Sequence, residues 1–285
     1  MVLSIQDDRS GTTLELYNAQ TLTEERTGEV EASPPTGFDS DQTFLSSLEQ
    51  SGTVPIQGAV TGRRIAGTAG FNTDPQTALA EWAAQLEAFV DGQPGDGQTL
   101  VRDYRNDQLS GVVTTLQWTR RGGEPLELGY TLTLQRGESV ASYSTPAADE
   151  VSPTGTTTVA GRTLDTYREF QSELSIPTTV TRRSFATTPD DNDITVDAGV
   201  TRSITITGQV AGDAATRNQF DADITASLGQ DQFITIEDGF TGRTYDGMVT
   251  AYEPTDEAGG TRLSEFGIEF VEGNPQTASG EASVL

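Results

Sequence analysis

The chain has 285 residues and a mass of 30.3 kDa, with 17 basic and 43 acidic residues and a net charge of −26. All 17 basic residues are arginine, and lysine, histidine and cysteine are absent. That excludes disulfides, thiolate nucleophiles, Cys or His metal sites, a Ser-His-Asp triad and a lysine Schiff base.

In chain order, the pattern predicts strands over 2–6 and 12–18. Residues 19–53 are long, polar and acidic, carry Pro34-Pro35, and read as an extended arm. A strand over 55–69 follows. Asn72-Thr-Asp-Pro75 then reads as a helix start, with Asp74 or Thr73 as cap and Pro75 at the first helical position. Leu79, Trp82, Leu86 and Phe89 form one apolar stripe, and Gly92 is the expected stop. Strands are expected over 98–104, 109–119 and 127–136, the last two joined by the turn Arg121-Gly-Gly-Glu-Pro125.

Residues 141–157 have turn and linker composition and mark the domain boundary. Beyond it, strands are expected over 156–164, 173–184 and around Ser203-Ile-Thr-Ile-Thr207. Asp213 caps a helix with the stripe Phe220, Ile224 and Leu228, stopped by Gly229. Three strands close the chain, over 231–237, 244–252 and 263–271, with Asp256-Glu-Ala-Gly-Gly260 as the last turn. Residues 274–285 form a tail without periodicity.

The two halves match each other. Ala59-Val-Thr-Gly-Arg-Arg-Ile65 aligns with Gly199-Val-Thr-Arg-Ser-Ile204 across one gap. Ser110-Gly-Val-Val-Thr-Thr115 aligns with Asp246-Gly-Met-Val-Thr-Ala251. Gly129-Tyr-Thr-Leu-Thr-Leu-Gln-Arg-Gly137 aligns with Glu265-Phe-Gly-Ile-Glu-Phe-Val-Glu-Gly273. The order of the blocks is the same, so an internal duplication is expected.

A charge of −26 destabilises a compact chain in dilute salt. At 1 M salt the Debye length is about 3 Å, and most of that repulsion is screened. Acidity without lysine resembles haloarchaeal proteins, whose surfaces carry carboxylates. Most acids here are then solvation rather than chemistry. Scattered arginines argue against tight nucleic-acid binding. No apolar run reaches the roughly 18 residues of a transmembrane helix, and the N-terminus does not read as a secretory signal.

The remaining constellations are weak. Asp103 with Asp107, or Glu237 with Asp238, are acid pairs of the kind that cleave glycosidic bonds, but 43 acids supply such spacings by chance. Pro189-Asp-Asp-Asn-Asp-Ile-Thr-Val-Asp197 alternates acids but fails the EF-hand pattern, so a solvated acidic loop is expected. Gly67-Thr-Ala-Gly70 precedes a helix but lacks both nucleotide-binding signatures. No catalytic residue, metal or cofactor is expected. Candidate inter-subunit contacts are Glu24, Glu25 and Arg26 in the arm, and the pairs Arg120–Arg121, near Trp118, and Arg182–Arg183.

The order strand 199–207, helix 214–228, meander 231–272, with its counterpart 59–69, 76–91 and 98–137, resembles the tail-tube-type domain of tailed viruses. That fold recurs in tube, distal-tail and baseplate-hub proteins. The resemblance implies a mainly β chain with one helix per half, made of two tandem β-barrel or sandwich domains. The first would be 1–145 with the arm 19–53, the second 146–285 with its tail. It also implies a non-enzymatic virion component assembled in the host cytoplasm. Three chains would form a pseudo-six-fold ring, or six a plain ring, with tail or baseplate neighbours and genomic DNA passing through the lumen without tight binding. The runner-up is a monomeric ligand- or carbohydrate-binding β protein of a halophile.

Overall fold

The threonine- and valine-rich alternations become antiparallel strands, and the two apolar stripes become helices. The computed structural model describes residues 3–7, 11–21, 27–33, 43–90, 98–102, 107–124, 126–139, 151–164, 166–175, 178–182, 192–196, 201–228, 233–255 and 263–273. The elements run β1 (Leu3–Asp7), β2 (Thr13–Glu15), β3 (Gln20–Thr21), β4 (Thr27–Ser33), β5 (Thr43–Ser51), β6 (Thr53–Thr61), α1 (Gly62–Ile65) and α2 (Pro75–Ala88). Then come β7 (Gln98–Arg102), β8 (Asp107–Arg121), β9 (Glu127–Arg136), β10 (Glu138–Ser139), β11 (Thr158–Val159), β12 (Arg162–Thr163) and β13 (Thr166–Ser175). The chain continues with β14 (Thr178–Arg182), β15 (Asn192–Val196), β16 (Thr201–Ala211), α3 (Ala214–Ser227), β17 (Ile234–Glu237), β18 (Thr244–Thr255) and β19 (Leu263–Glu272).

Contacts group the chain into two compact units. Unit 1 is Met1–Arg120, Leu126–Glu150 and Glu173–Thr201; unit 2 is Arg121–Pro125, Val151–Ser172 and Arg202–Leu285. The expected division at 145/146 falls within 140–150, outside the described residues.

In unit 1 the strand order is β3-β6-β9-β8-β7-β1-β2, antiparallel throughout. In unit 2 it is β13-β16-β19-β18-β17-β11-β12, with the ladders from β16 to β12 again antiparallel. The two orders are the same, with corresponding strands in the same chain sequence. Each repeat is a hairpin, a single strand, a second hairpin, a strand, a helix and a three-strand meander whose last strand returns to pair with the strand before the helix.

The equivalence extends to single residues. Both meanders have a bulge, at Thr114 in β8 and Thr250 in β18. The Thr114 hydroxyl donates to the Thr133 carbonyl at 3.4 Å, and Thr250 to that of Glu269 at 3.3 Å. Gly137 N–H donates to Ser110, and Gly273 N–H to Asp246. All these pairs sit 136 residues apart, so the second and third matched blocks are in register. The first is not. Gly58 in β6 faces Tyr130, and Gly208 in β16 faces Phe266, which makes Ile56 and Ile206 equivalent. Ala59–Ile65 therefore runs out of a strand, whereas Thr201–Ile204 of the matched segment opens one.

Several expected elements change shape. The strand over 55–69 stops at Thr61, where Gly62 opens the short α1 against the carbonyl of Pro75; a Cβ there would collide with it. The strand over 12–18 shortens because Asn18 takes φ 50° and turns the chain. Residues 156–164 split into the hairpin β11–β12 at Ala160 and Gly161, both at positive φ. Residues 173–184 divide between β13 and β14. The arm 19–53 holds β3 and the two-stranded hairpin β4–β5. The end of the supposed linker is fixed: Ser152 and Thr154 N–H groups donate to Thr241 and Gly239 carbonyls at the β17–β18 turn. Gly92, Gly229 and the tail 274–285 lie outside the described residues.

Candidate functional site

The features with potential to meet a partner are strand edges and the hairpins β4–β5 and β14–β15, which form sheets of their own. Both helices start with Asp-x-x-Thr. Asp74 accepts from Thr77 N–H at 2.9 Å and Asp213 from Thr216 N–H at 2.8 Å, and each carboxylate also accepts from the same threonine's hydroxyl. Those hydrogen bonds hold both carboxyls below the usual aspartate range.

Each helix then presses one ring onto the last meander strand. Trp82 lies 5.1 Å from Tyr130, and Phe220 lies 5.2 Å from Phe266. The ring on β9 lies over Gly58, where a Cβ would land in the phenol. Tyr130 donates its hydroxyl to Tyr17 O at 2.8 Å, and burial pushes its phenol far above the usual tyrosine range. Trp82 Nε1 donates to Glu15 O at 3.1 Å. The helix thereby holds β2 as well as the meander.

The expected contact residues scatter. Glu24, Glu25, Arg26 and Arg183 lie outside the described residues, as does Asp103 of the first acid pair. Arg120 is buried, at 7% exposure, within the chain, whereas Arg121 is exposed at the β8–β9 turn. Arg182 ends β14. Trp118 is buried, and its Nε1 donates to the buried Glu87 carboxylate at 2.6 Å. In the second acid pair, Glu237 is exposed and Asp238 is buried. Asp238 accepts from Phe240 N–H at 3.0 Å, Thr241 N–H at 3.1 Å and the Thr241 hydroxyl at 2.6 Å, so it closes a turn.

The hairpin β14–β15 was not expected from the sequence. Half of the segment expected as a solvated loop, 189–197, is strand β15, paired antiparallel with β14 from Thr178↔Val196 to Arg182↔Asn192 and parallel with β10. The β-branched runs Thr178–Thr181 and Ile194–Val196 were the available signal; the acids between them masked it.

Two arginines of unit 2 are held by neighbouring side chains. Arg202 lies over the Tyr245 ring at 4.9 Å, donates to Glu272 Oε2 at 3.0 Å and to Ser172 Oγ at 3.1 Å. Arg162 pairs with Asp223 at 3.0 Å; the Asp223 carboxyl is lowered first by Gln219 and then by Arg162. A cleft of about 180 Å³ lies beside α3, lined by Arg217, Phe220, Tyr252, Pro254 and Phe266. It is smaller than the roughly 300–1,000 Å³ of small-molecule sites. Among the described residues no cluster of three acids is arranged to hold a metal ion, and no helix is long and apolar enough to cross a membrane.

No protein-family model matches the sequence, and no curated protein matches it.

Proposed function

We propose that the chain is a ring-forming structural protein of a viral tail, in the tube or the distal-tail and baseplate layer. Three chains supply six repeats around a channel for DNA. The observation that carries this reading is the repeat: one seven-strand order, one capped helix and one inserted hairpin occur twice in a single chain. A chain with two equivalent blocks forms a closed ring from half as many copies. Open strand edges favour closure, because each unpaired edge is a template for the next chain.

The charge supports the same role. A lumen lined by carboxylates repels phosphate and lets a duplex slide, the converse of an arginine- and lysine-rich binding surface. Carboxylates without lysine suit assembly in molar salt, as in a virus of a salt-loving archaeal host. No catalytic step belongs to this reading. The cleft described beside α3 is smaller than a typical small-molecule site, so it lends no support to a ligand-binding role.

Electron microscopy of the purified protein in molar salt, with its mass from light scattering, tests the proposal. The expected result is rings with three- or six-fold views and a mass of three chains. A monodisperse particle of one chain mass at every salt and protein concentration would overturn it.

A further inference from the structure

The two repeats differ at the approach to the helix. In the first repeat the chain leaves β6 at Thr61, runs through residues 62–74 and enters α2 at Pro75. That stretch holds α1. Gly62 N–H donates to the carbonyl of Leu126, just before β9, at 2.9 Å, and a Cβ on Gly62 would collide with the Pro75 carbonyl. The turn α1 therefore sits where the end of β6, the start of β9 and the first turn of α2 meet. Its Ile65 is fully buried, whereas Arg63 and Arg64 are exposed.

In the second repeat only Gly212 and Asp213 join β16 to α3. The cleft beside α3 lies at that place. Its walls come from the counterparts of the elements that hold α1: Val210 near the end of β16, Phe266 at the start of β19, and Arg217 and Phe220 on the first turns of α3. Tyr252 and Pro254 of β18 complete them. Pro254 is paired with Phe266 as Trp118 is with Tyr130 in the first repeat, so a small ring stands where the first repeat has a buried indole. The first repeat closes this place with its own chain, and the second leaves a cleft there.

We propose that this cleft takes a short turn of a partner protein, which inserts one aliphatic side chain and carries arginine beside it, as α1 does in the first repeat. The floor is apolar, with Val210, Phe220 and Phe266 buried. The volume is below that of a small-molecule site and suits one side chain, the kind of pocket that anchors protein contacts. The rim is acidic. Asp221 and Glu265, which also pairs with Arg168, line it beside Arg217, and Asp213 and Glu253 are exposed on the adjoining ends of α3 and β18. Arginines on the incoming turn complement that rim. Molar salt screens most of this attraction, so the apolar anchor supplies the affinity and the charges set the orientation. The turn α1 of a second copy does not fit the role, because its Ile65 is already buried in its own repeat. The occupant is therefore a different protein, and the contact is separate from ring closure.

The probe is a fluorescently labelled peptide of Thr61–Thr68, the α1 turn itself, titrated with the full chain in molar salt and read by anisotropy. Saturable binding is expected, weakened about tenfold or more when the peptide carries Ile65→Ser. In the full chain, Pro254→Trp places at the cleft the residue that the first repeat carries there, and is expected to weaken binding by a similar factor. Asp221→Arg is expected to weaken it by a smaller factor. Ala222→Arg, exposed on α3 and outside the cleft lining, is expected to leave binding unchanged. Circular dichroism checks that each variant folds. No saturable binding at millimolar peptide would overturn the proposal, and so would binding that neither Pro254→Trp nor Asp221→Arg changes. Each of these outcomes leaves the ring reading as it stands, because microscopy of the assembly tests that separately.

Discussion

Helices α2 and α3 have the same length, the same Asp-x-x-Thr cap and the same place in their repeats, yet their surroundings differ. In α2, Ala78, Leu79, Ala80, Trp82, Ala83, Ala84, Leu86 and Glu87 are all buried. In α3 only Phe220, Ile224 and Ser227 are buried, and most of the rest faces solvent. The contrast shows in composition: α2 places alanines around its stripe, where other elements pack closely, and α3 places Arg, Asn, Gln and Asp there. One helix is a core element and the other a surface element on the same frame. The shared parts, a cap and one ring against the last meander strand, are therefore what the frame itself requires.

The largest expected break in that comparison comes from a carboxylate on the buried side of α2. Ala83→Asp is expected to abolish folding of unit 1, because a buried unpaired charge costs several kcal/mol. Ala222→Asp, on exposed α3, is expected to stay within about 0.5 kcal/mol of the parent in denaturant unfolding in molar salt. Equal effects at the two sites would mean that α3 is also covered.

Next come the rings. Trp82→Ala is expected to cost about 3–5 kcal/mol, since it leaves a cavity against Tyr130 and removes the hydrogen bond to Glu15 O. Phe220→Ala should fall at the lower end of that range of about 3–5 kcal/mol, because water can enter from the exposed side of α3. A larger loss from Phe220→Ala, measured by the same unfolding curves, would reverse the ranking.

The glycines test the likeness rather than the difference. A Cβ on Gly111 would meet the Gln135 carbonyl and the Leu134 side chain, and one on Gly247 would meet the Val271 carbonyl and the Phe270 ring. Gly111→Ala and Gly247→Ala should therefore cost similar amounts, about 1–3 kcal/mol each. A clear inequality in denaturant midpoints would show that the two meanders are not energetically equivalent.

The smallest effect is at the caps. Asp74→Ala and Asp213→Ala should each lower the thermal midpoint by a few degrees. Both carboxyls lie below their ordinary values when folded, so their contribution is complete above the unfolded aspartate pKa of about 3.9 and is lost as pH falls through the folded values. Acidification also relieves the repulsion of the net charge, so the informative quantity is the difference between the parent and the double-cap variant. That difference should shrink below about pH 4. A gap that stays constant down to strong acid would mean that the caps do not act through their charge.

Much of the fold was legible locally. The helix starts at Asp74 and Asp213, the stripe Leu79–Trp82–Leu86–Phe89 and all six meander strands follow from capping chemistry and from periods of 3.6 and 2. The matched blocks around Gly111 and Gly247 were visible too, because a glycine beside a bulge leaves a local mark. The hairpin β14–β15 was not, since its strands are short and the acids between them resemble solvated loop. The alignment around Ala59 failed because short Val-Thr segments recur in any β protein, and only Gly58 facing Tyr130 and Gly208 facing Phe266 set the register.

By itself, then, the sequence determined a lysine-free, acidic, mainly β chain with two capped helices and two meanders, since charge, capping and periodicity act over a few residues. The tertiary structure decided which strand borders which and which helix is covered. Those outcomes rest on pairings between residues far apart in the chain, which no local pattern encodes.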